Sequence, residues 1–340
     1  MQAETDTSSK QKKTKSSYAA GHLSSYILLL QNNKNYRRYW LSGCISQIGD
    51  WLNYIALLVL LNELTGSGQA VSWFIIAGFI PPALFGPMAG VIADKYSRKT
   101  ILLTCDLARA GIVLGYLFIR EPSHVWILYC LALAEASVGA FYYPARQAST
   151  PNLCTKEELS IVNGLSGASW SIMLAAGAAL GGFLTATLGW QVAILADSIS
   201  FLLSAAMMAS VFFPHRPKKQ QLTFTLGRIT GWDDIKEGAM YIKGHPKVAV
   251  LLLVKSGWAL SGGILVMLAV FGEQVFGAHS AGKHGGLSGI LFSMRGLGAA
   301  LGPIIAWRLF GDSTAAMRKA IGGGFFISCI AYLLFSQAPN

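Results

Sequence analysis

The chain has 340 residues, 53% of them hydrophobic and only 13% charged, with a mean hydropathy of +0.47. A soluble domain carries about 25% charged residues, so this composition excludes an ordinary water-soluble fold and points to a polytopic membrane protein. The formal net charge of +11 does not point to nucleic acid, because the cations lie between apolar runs, where anionic lipid and the positive-inside rule place them.

Residues 1–38 are polar and include Lys10, Lys12, Lys13 and Lys15. They are expected to form a disordered cytoplasmic tail, and they are too long and too polar to open a signal peptide. Apolar runs of about 20 residues follow, enough to cross roughly 30 Å of hydrocarbon. They predict spans at roughly 40–62, 69–93, 99–119, 124–145, 159–187 and 190–213, a six-helix N-terminal bundle over 39–213. Residues 214–247 form a long basic loop, in which Trp232, Ile235, Ala239 and Ile242 recur at helical spacing as an interfacial amphipathic helix would have them. Further spans are expected at roughly 248–276, 286–308 and 317–336, so 248–340 forms a partial second bundle. The expected fold is all-α and integral to the membrane, with about nine transmembrane helices. Ala83–Pro87 has an echo in Ala299–Pro303, the pattern of two parallel repeated bundles.

Orientation follows from lysine and arginine alone. Lys34, Arg37, Arg38, Lys95, Arg98, Lys99, Arg146, Lys156 and the cations of the long loop fall on the side of the N-terminus, while Arg120 and Lys283 fall on the other. The N-terminus is therefore expected in the cytoplasm.

Charges inside a bilayer are costly, so each one is a functional candidate. Asp50 lies near the middle of the first span, on one face with Ser46 and Asn53 and beside Gln47 and Tyr54. Such a polar stripe lines a water-filled cavity. Asp50 there could carry a proton or pair with a cationic substrate; alternatively it is a buried acid bonded to a neighbouring helix. Asp106 and Arg109 share a face of the third span, and Glu135 lies at mid-depth of the fourth, with Tyr142 and Arg146 nearer its end. Arg109 is expected to pair with Glu135, either as a proton-linked switch or as a static bridge. Asp197, Lys255 and Arg295 are further candidates. Gly177, Gly181 and Gly182 in the fifth span allow close helix approach and sliding.

No chemistry beyond this is visible. Cys44, Cys105, Cys130, Cys154 and Cys329 form no Cys-x-x-Cys pair and read as packing residues. The histidines are scattered through tails and loops, and neither Gly-x-Ser-x-Gly nor a phosphate-binding glycine loop occurs. No metal, cofactor or enzymatic activity is expected.

Between the second and third spans runs Gly-x-x-x-Asp-x-x-x-Arg-Lys, carried by Gly90, Asp94, Arg98 and Lys99. It resembles the signature loop of the major facilitator superfamily, with Ser97 where that family usually has glycine. Six spans, a long basic loop and a second set is also the superfamily's layout. Asn35–Trp40, Pro144–Pro151, Glu237-Gly238 and His245-Pro246 resemble its bacterial, enterobactin-exporter-like branch. The resemblance implies a secondary active transporter of the bacterial cytoplasmic (inner) membrane, exporting a small amphipathic organic molecule, a siderophore or drug, by proton-coupled alternating access. Its partners would be that substrate, protons and the lipid bilayer. In the superfamily, the residues matching Asp94 and Arg98 form a cytoplasmic gating loop whose partner lies in the eleventh helix. The superfamily has about twelve spans, so the chain is expected to be C-terminally truncated. Gly177 and Gly181 match an antiporter pattern, with Gly182 where its proline would stand. The competing expectation is a truncated or degenerate membrane protein that transports nothing without a partner chain.

Overall fold

A computed structural model describes residues 23–213, 232–275, 286–311 and 313–337. Among them every regular element is a helix. In chain order these are α1 (Leu23–Asn32), α2 (Lys34–Thr65), α3 (Gly68–Lys95), α4 (Arg98–Gly115), α5 (Val125–Leu153), α6 (Leu159–Leu188) and α7 (Trp190–Ala209). After the long loop come α8 (Trp232–Gly244), α9 (Pro246–Leu260), α10 (Ile264–Val270), α11 (Gly286–Phe310) and α12 (Thr314–Ser336). Eight helices, α2 to α7, α11 and α12, are long and apolar enough to span a bilayer.

The helix ends follow from local chemistry. Asn33 caps α2 by accepting from the Tyr36 amide at 2.9 Å. Ser97, at the glycine position of the signature loop, caps α4 through the Thr100 amide at 3.4 Å. Gly66 ends α2 in the left-handed region at φ 58°, a conformation that costs glycine nothing. Prolines 81, 82 and 87 lie inside α3, tolerated because neighbouring helices can satisfy the freed carbonyls.

Helix α2 is the axis of the first half. It packs on α7 and α6, while α4 packs on α7 and α5, and α3 on α5. Ile55, Leu58 and Leu61 of α2 are fully buried at the centre of the main apolar cluster. The second half joins along α6–α11 and α3–α10. The α6–α11 seam is made by small residues. A Cβ on Gly289 would lie 2.7 Å from the Ala178 carbonyl oxygen and 2.8 Å from Gly182 Cα, and one on Gly296 would lie 2.7 Å from Ala175 Cα. Helix α12 turns large side chains such as Phe326 and Leu333 outward, as a lipid-facing helix does.

Two expectations change. The tail expected disordered over 1–38 is helical from Leu23, because Asn33 caps α2 and the fully buried Leu29 and Tyr36 pack into the bundle; residues 1–22 lie outside the described residues. The continuous span expected at 248–276 is broken. α9 ends at Leu260, a 3-10 turn covers Ser261–Gly263, and α10 runs into a π-helical turn at Phe271–Val275, so paired glycines at 262 and 263 weaken the helix where it breaks. The amphipathic helix expected in the loop is present as α8, whereas 214–231 lies outside the described residues.

The seam makes a paired prediction. Gly289→Leu forces backbone apart and should lower the thermal midpoint in detergent, with a cost of about 1–3 kcal/mol. Gly298→Leu, where nothing lies within 4 Å, should leave it unchanged.

Candidate functional site: a buried charge cluster between two cavities

Helix α2 turns Ser46, Asp50 and Asn53 toward α4 and α5. Arg109 of α4 donates from Nη2 to Asp50 Oδ1, with the arginine side chain 4% exposed and the aspartate 23%. The pair is thus buried on one side and open on the other. The guanidinium carbon lies 4.1 Å from the Phe201 ring centre and 5.4 Å from that of Tyr142, a geometry that adds cation–π attraction. Arg109 Nε and Nη1 are buried with no hydrogen-bond partner.

Glu135 of α5 is held separately. It accepts from the Tyr116 hydroxyl at 3.0 Å and faces Asn53 Nδ2 at 3.4 Å. The expected Arg109–Glu135 pair is therefore corrected to Arg109–Asp50. Tyr116 and Asn53 occupy Glu135, and the α2 carboxylate reaches the guanidinium first.

Two more acids come from these helices. Asp197 of α7 is fully buried, accepts from Ser200 Oγ at 3.2 Å, and has Oδ2 without a hydrogen-bond partner. It lies against Gly49, where any Cβ would collide with Asp197 Oδ1 and Ser200 Oγ. Glycine at 49 is what lets this acid sit one residue from Asp50. Asp106 of α4 is also fully buried and accepts from Ser204 Oγ at 2.7 Å.

Asp50 stands on the wall shared by two cavities, together with Trp51, Tyr54 and Tyr143. One, of about 400 Å³, runs toward the basic end past Tyr39 and Arg146. The other, of about 310 Å³, contains Asn53, Arg109, Tyr116 and Glu135. Sequence spacing brought Asp50 and Asn53 to one face, but nothing in it marked Tyr116 as the partner of Glu135 or Phe201 as the cover of Arg109. Lys255 lines a separate space between α9 and α12, and Arg295 lies over the Trp170 ring at 6.0 Å.

The signature loop is a set of helix-end bonds. Arg98 donates to the Ala93 carbonyl at 3.3 Å, to that of Ala148, and to Asp94 at 3.3 Å. Lys99 donates to the Ala209 and Val211 carbonyls at 2.6 and 2.8 Å. These cations satisfy carbonyls at or near helix C-termini, where the helix dipole favours positive charge. Asn33 bonds the Leu153 carbonyl at 2.8 Å, and Asn35 bonds both polar groups of Phe212 at 2.6 and 3.1 Å. Gly90 has open space where a Cβ would point.

The sequence pattern of the Major Facilitator Superfamily matches residues 39–340. The chain belongs to that superfamily. It is a multi-pass membrane protein with the major facilitator fold. It is similar to the MFS-type transporter YfiS of Bacillus subtilis, 25% identical over 88% of this chain and 72% of that one. It is also similar to the MFS-type transporter YkuC of the same organism, 25% identical over 65% of this chain and 52% of that one. Macrolide efflux protein A of Streptococcus pyogenes is 30% identical over 63% of this chain and 53% of its own length. The chain spans about half the length of the last two relatives. No solved structure matches it.

Removing one partner of a buried ion pair strands the other, at a cost of about 3–5 kcal/mol. Asp50→Asn and Arg109→Gln should each lower the thermal midpoint in detergent, and the double variant should recover most of the loss. An additive double variant would show that the two residues do not act as a pair.

Proposed function

We propose that the protein is a secondary active exporter, working by alternating access and coupled to protons through the Asp50–Arg109 cluster. The observation that carries this reading is one bonded guanidinium with two carboxylates that line the cavities, Asp50 on their shared wall and Glu135 in one of them, and a third, Asp197, buried behind them against Gly49. An ionised carboxylate without a counter-cation is strongly disfavoured in hydrocarbon. Carboxylates that lack a cation are therefore stable there only with a proton bound, and a proton can leave only when a cation takes its place. Arg109 has the spare donors for that exchange. In this scheme Asp50 releases Arg109 on protonation, and Glu135 or Asp197 receives it as the cavities open in turn.

The cargo is a small amphipathic organic molecule. Cavities whose walls combine aromatic rings with polar side chains suit such a solute, and the similarity to a macrolide efflux protein supports a drug-like cargo. A siderophore, the cargo class of the branch the motifs resemble, is the alternative within the same reading. The basic end, with Lys95, Arg98, Lys99 and Lys156, faces the cytoplasm of a bacterial inner membrane, consistent with the positive-inside rule. There Gly90, Asp94, Arg98 and Lys99 form the gating loop, with Asp94 and Arg98 joined to each other.

The test is uptake of a labelled macrolide and a labelled catecholate siderophore into inverted membrane vesicles energised with a proton gradient. Uptake of one of them should collapse with a protonophore. Asp50→Asn should reduce it to background in vesicles matched for protein content, and Glu135→Gln should slow it. Uptake indifferent to the protonophore would remove proton coupling, and full uptake by Asp50→Asn would remove the role of Asp50.

A further inference from the structure

A second arginine in the spans has a setting unlike that of Arg109. Arg146 of α5 donates from Nη1 to the Tyr142 hydroxyl at 3.1 Å and from Nη2 to the Tyr39 carbonyl at 2.9 Å. Its guanidinium lies 4.3 Å from the Tyr39 ring centre. Gly43 makes the space, since any Cβ there would collide with the guanidinium. The arginine is cradled, yet among the described residues no carboxylate bonds it. Asp50 is bonded to Arg109 and Asp94 to Arg98, and Asp106 is bonded to Ser204 instead.

Arg146 lines the cavity of about 400 Å³, whose walls include Tyr36, Trp40, Trp51 and Trp170. Asp50 is on the same wall, but its charge is met by Arg109. The lining therefore carries a positive charge to which no carboxylate is bonded, in an aromatic chamber. Gln47, also on the wall, has Oε1 buried without a hydrogen-bond partner. A ligand that completes the site brings an anionic group for Arg146, a flat apolar body for the rings, and a hydroxyl or N–H for Gln47.

From this geometry we infer that the larger cavity is a binding site for an amphipathic aromatic anion, an aryl carboxylate or phenolate, with Arg146 as its charge partner. The inference deepens the export reading by naming the charge of the cargo, and it rests on that reading for the cargo's direction of travel. An unpaired cation in a low-dielectric site gains most from an anion that pairs and hydrogen-bonds it at once. A cationic solute would have to leave that charge uncompensated.

The test is calorimetric titration of the full chain in nanodiscs, with empty nanodiscs subtracted. It uses biphenyl-4-carboxylate and biphenyl-4-methylammonium, which share a body and differ in charge. The carboxylate should bind on the order of tenfold more tightly, the worth of one charge-assisted hydrogen bond. Arg146→Gln should erase that preference, and Arg146→Lys, which keeps the charge and serves if the glutamine variant fails to fold, should retain most of it. Preference for the ammonium, binding of neither, or an anion preference surviving in folded Arg146→Gln would each overturn the inference. Anion-selective binding without vesicle uptake would sink export and leave this site standing. Ammonium-selective binding with intact uptake would do the reverse.

Discussion

The ion pair between Asp50 and Arg109 is the constraint around which the first half is arranged. Two charges in hydrocarbon are tolerated only when each finds the other and most remaining polar atoms find partners. The surrounding helices meet that demand from several directions. Phe201 of α7 covers the guanidinium, Gly49 lets α7 close on α2, and Asn53 with Tyr116 occupies Glu135 so that it does not compete for Arg109. The demand is met only in part. Two guanidinium nitrogens and one oxygen each of Asp106 and Asp197 are buried without a hydrogen bond. A fully satisfied network would be rigid; one with spare donors beside spare acceptors has more than one way to be arranged.

The same contrast runs through the whole molecule. At the basic end, Asn33, Asn35, Arg38, Arg98 and Lys99 all bond carbonyls within the first half, tying the ends of α2, α3, α5 and α7 into one unit. The second half is joined differently. Small residues of α6 and α11 meet backbone to backbone, and at the opposite end Gln274 reaches Asn62 at 3.3 Å and the Gly66 carbonyl at 3.4 Å. Side-chain hydrogen bonds tie the basic end of the first half, whereas along the α6–α11 seam close backbone contact is joined by a bond from Ser293 Oγ to the Ala175 carbonyl at 2.9 Å. Small residues of this kind let two helix backbones approach closely, so the halves meet along a seam of backbone contact.

What the sequence made legible follows from the range of the physics involved. Span length and alternation of charge are properties of consecutive residues, so the membrane class, the first six helices and the polar face of α2 could be read directly. Interruptions were less visible. The break at Ser261–Gly263 is spelled by two glycines, but glycine is common in membrane helices and does not by itself end one. α1 was hidden because its stability comes from packing against distant helices, as the fully buried Leu29 does, and not from the helix propensity of its ten residues. The partner of Arg109 was hidden for a related reason. Helical spacing tells which side chains share a face, but choosing between Asp50 and Glu135 depends on which acid is already taken by Tyr116, a contact between different helical elements that spacing along one helix does not show.

Gly182 shows how a departure from a family pattern can be read physically. The antiporter pattern places proline after the second glycine, and its absence looks at first like a lost feature. In this chain α6 has to serve two partners. Gly177 and Gly181 bring it against α2, where Cβ atoms would lie 2.8 Å from Trp51 Cβ and 3.1 Å from Leu52 Cα, while Gly182 faces Gly289 of α11. A proline ring at 182 would add bulk where the α11 backbone crosses and would remove a backbone donor from α6. Glycine instead gives up a built-in kink and lets the α11 backbone cross close to α6. The position that weakens the match to one motif is therefore one of those that make the α6–α11 seam possible.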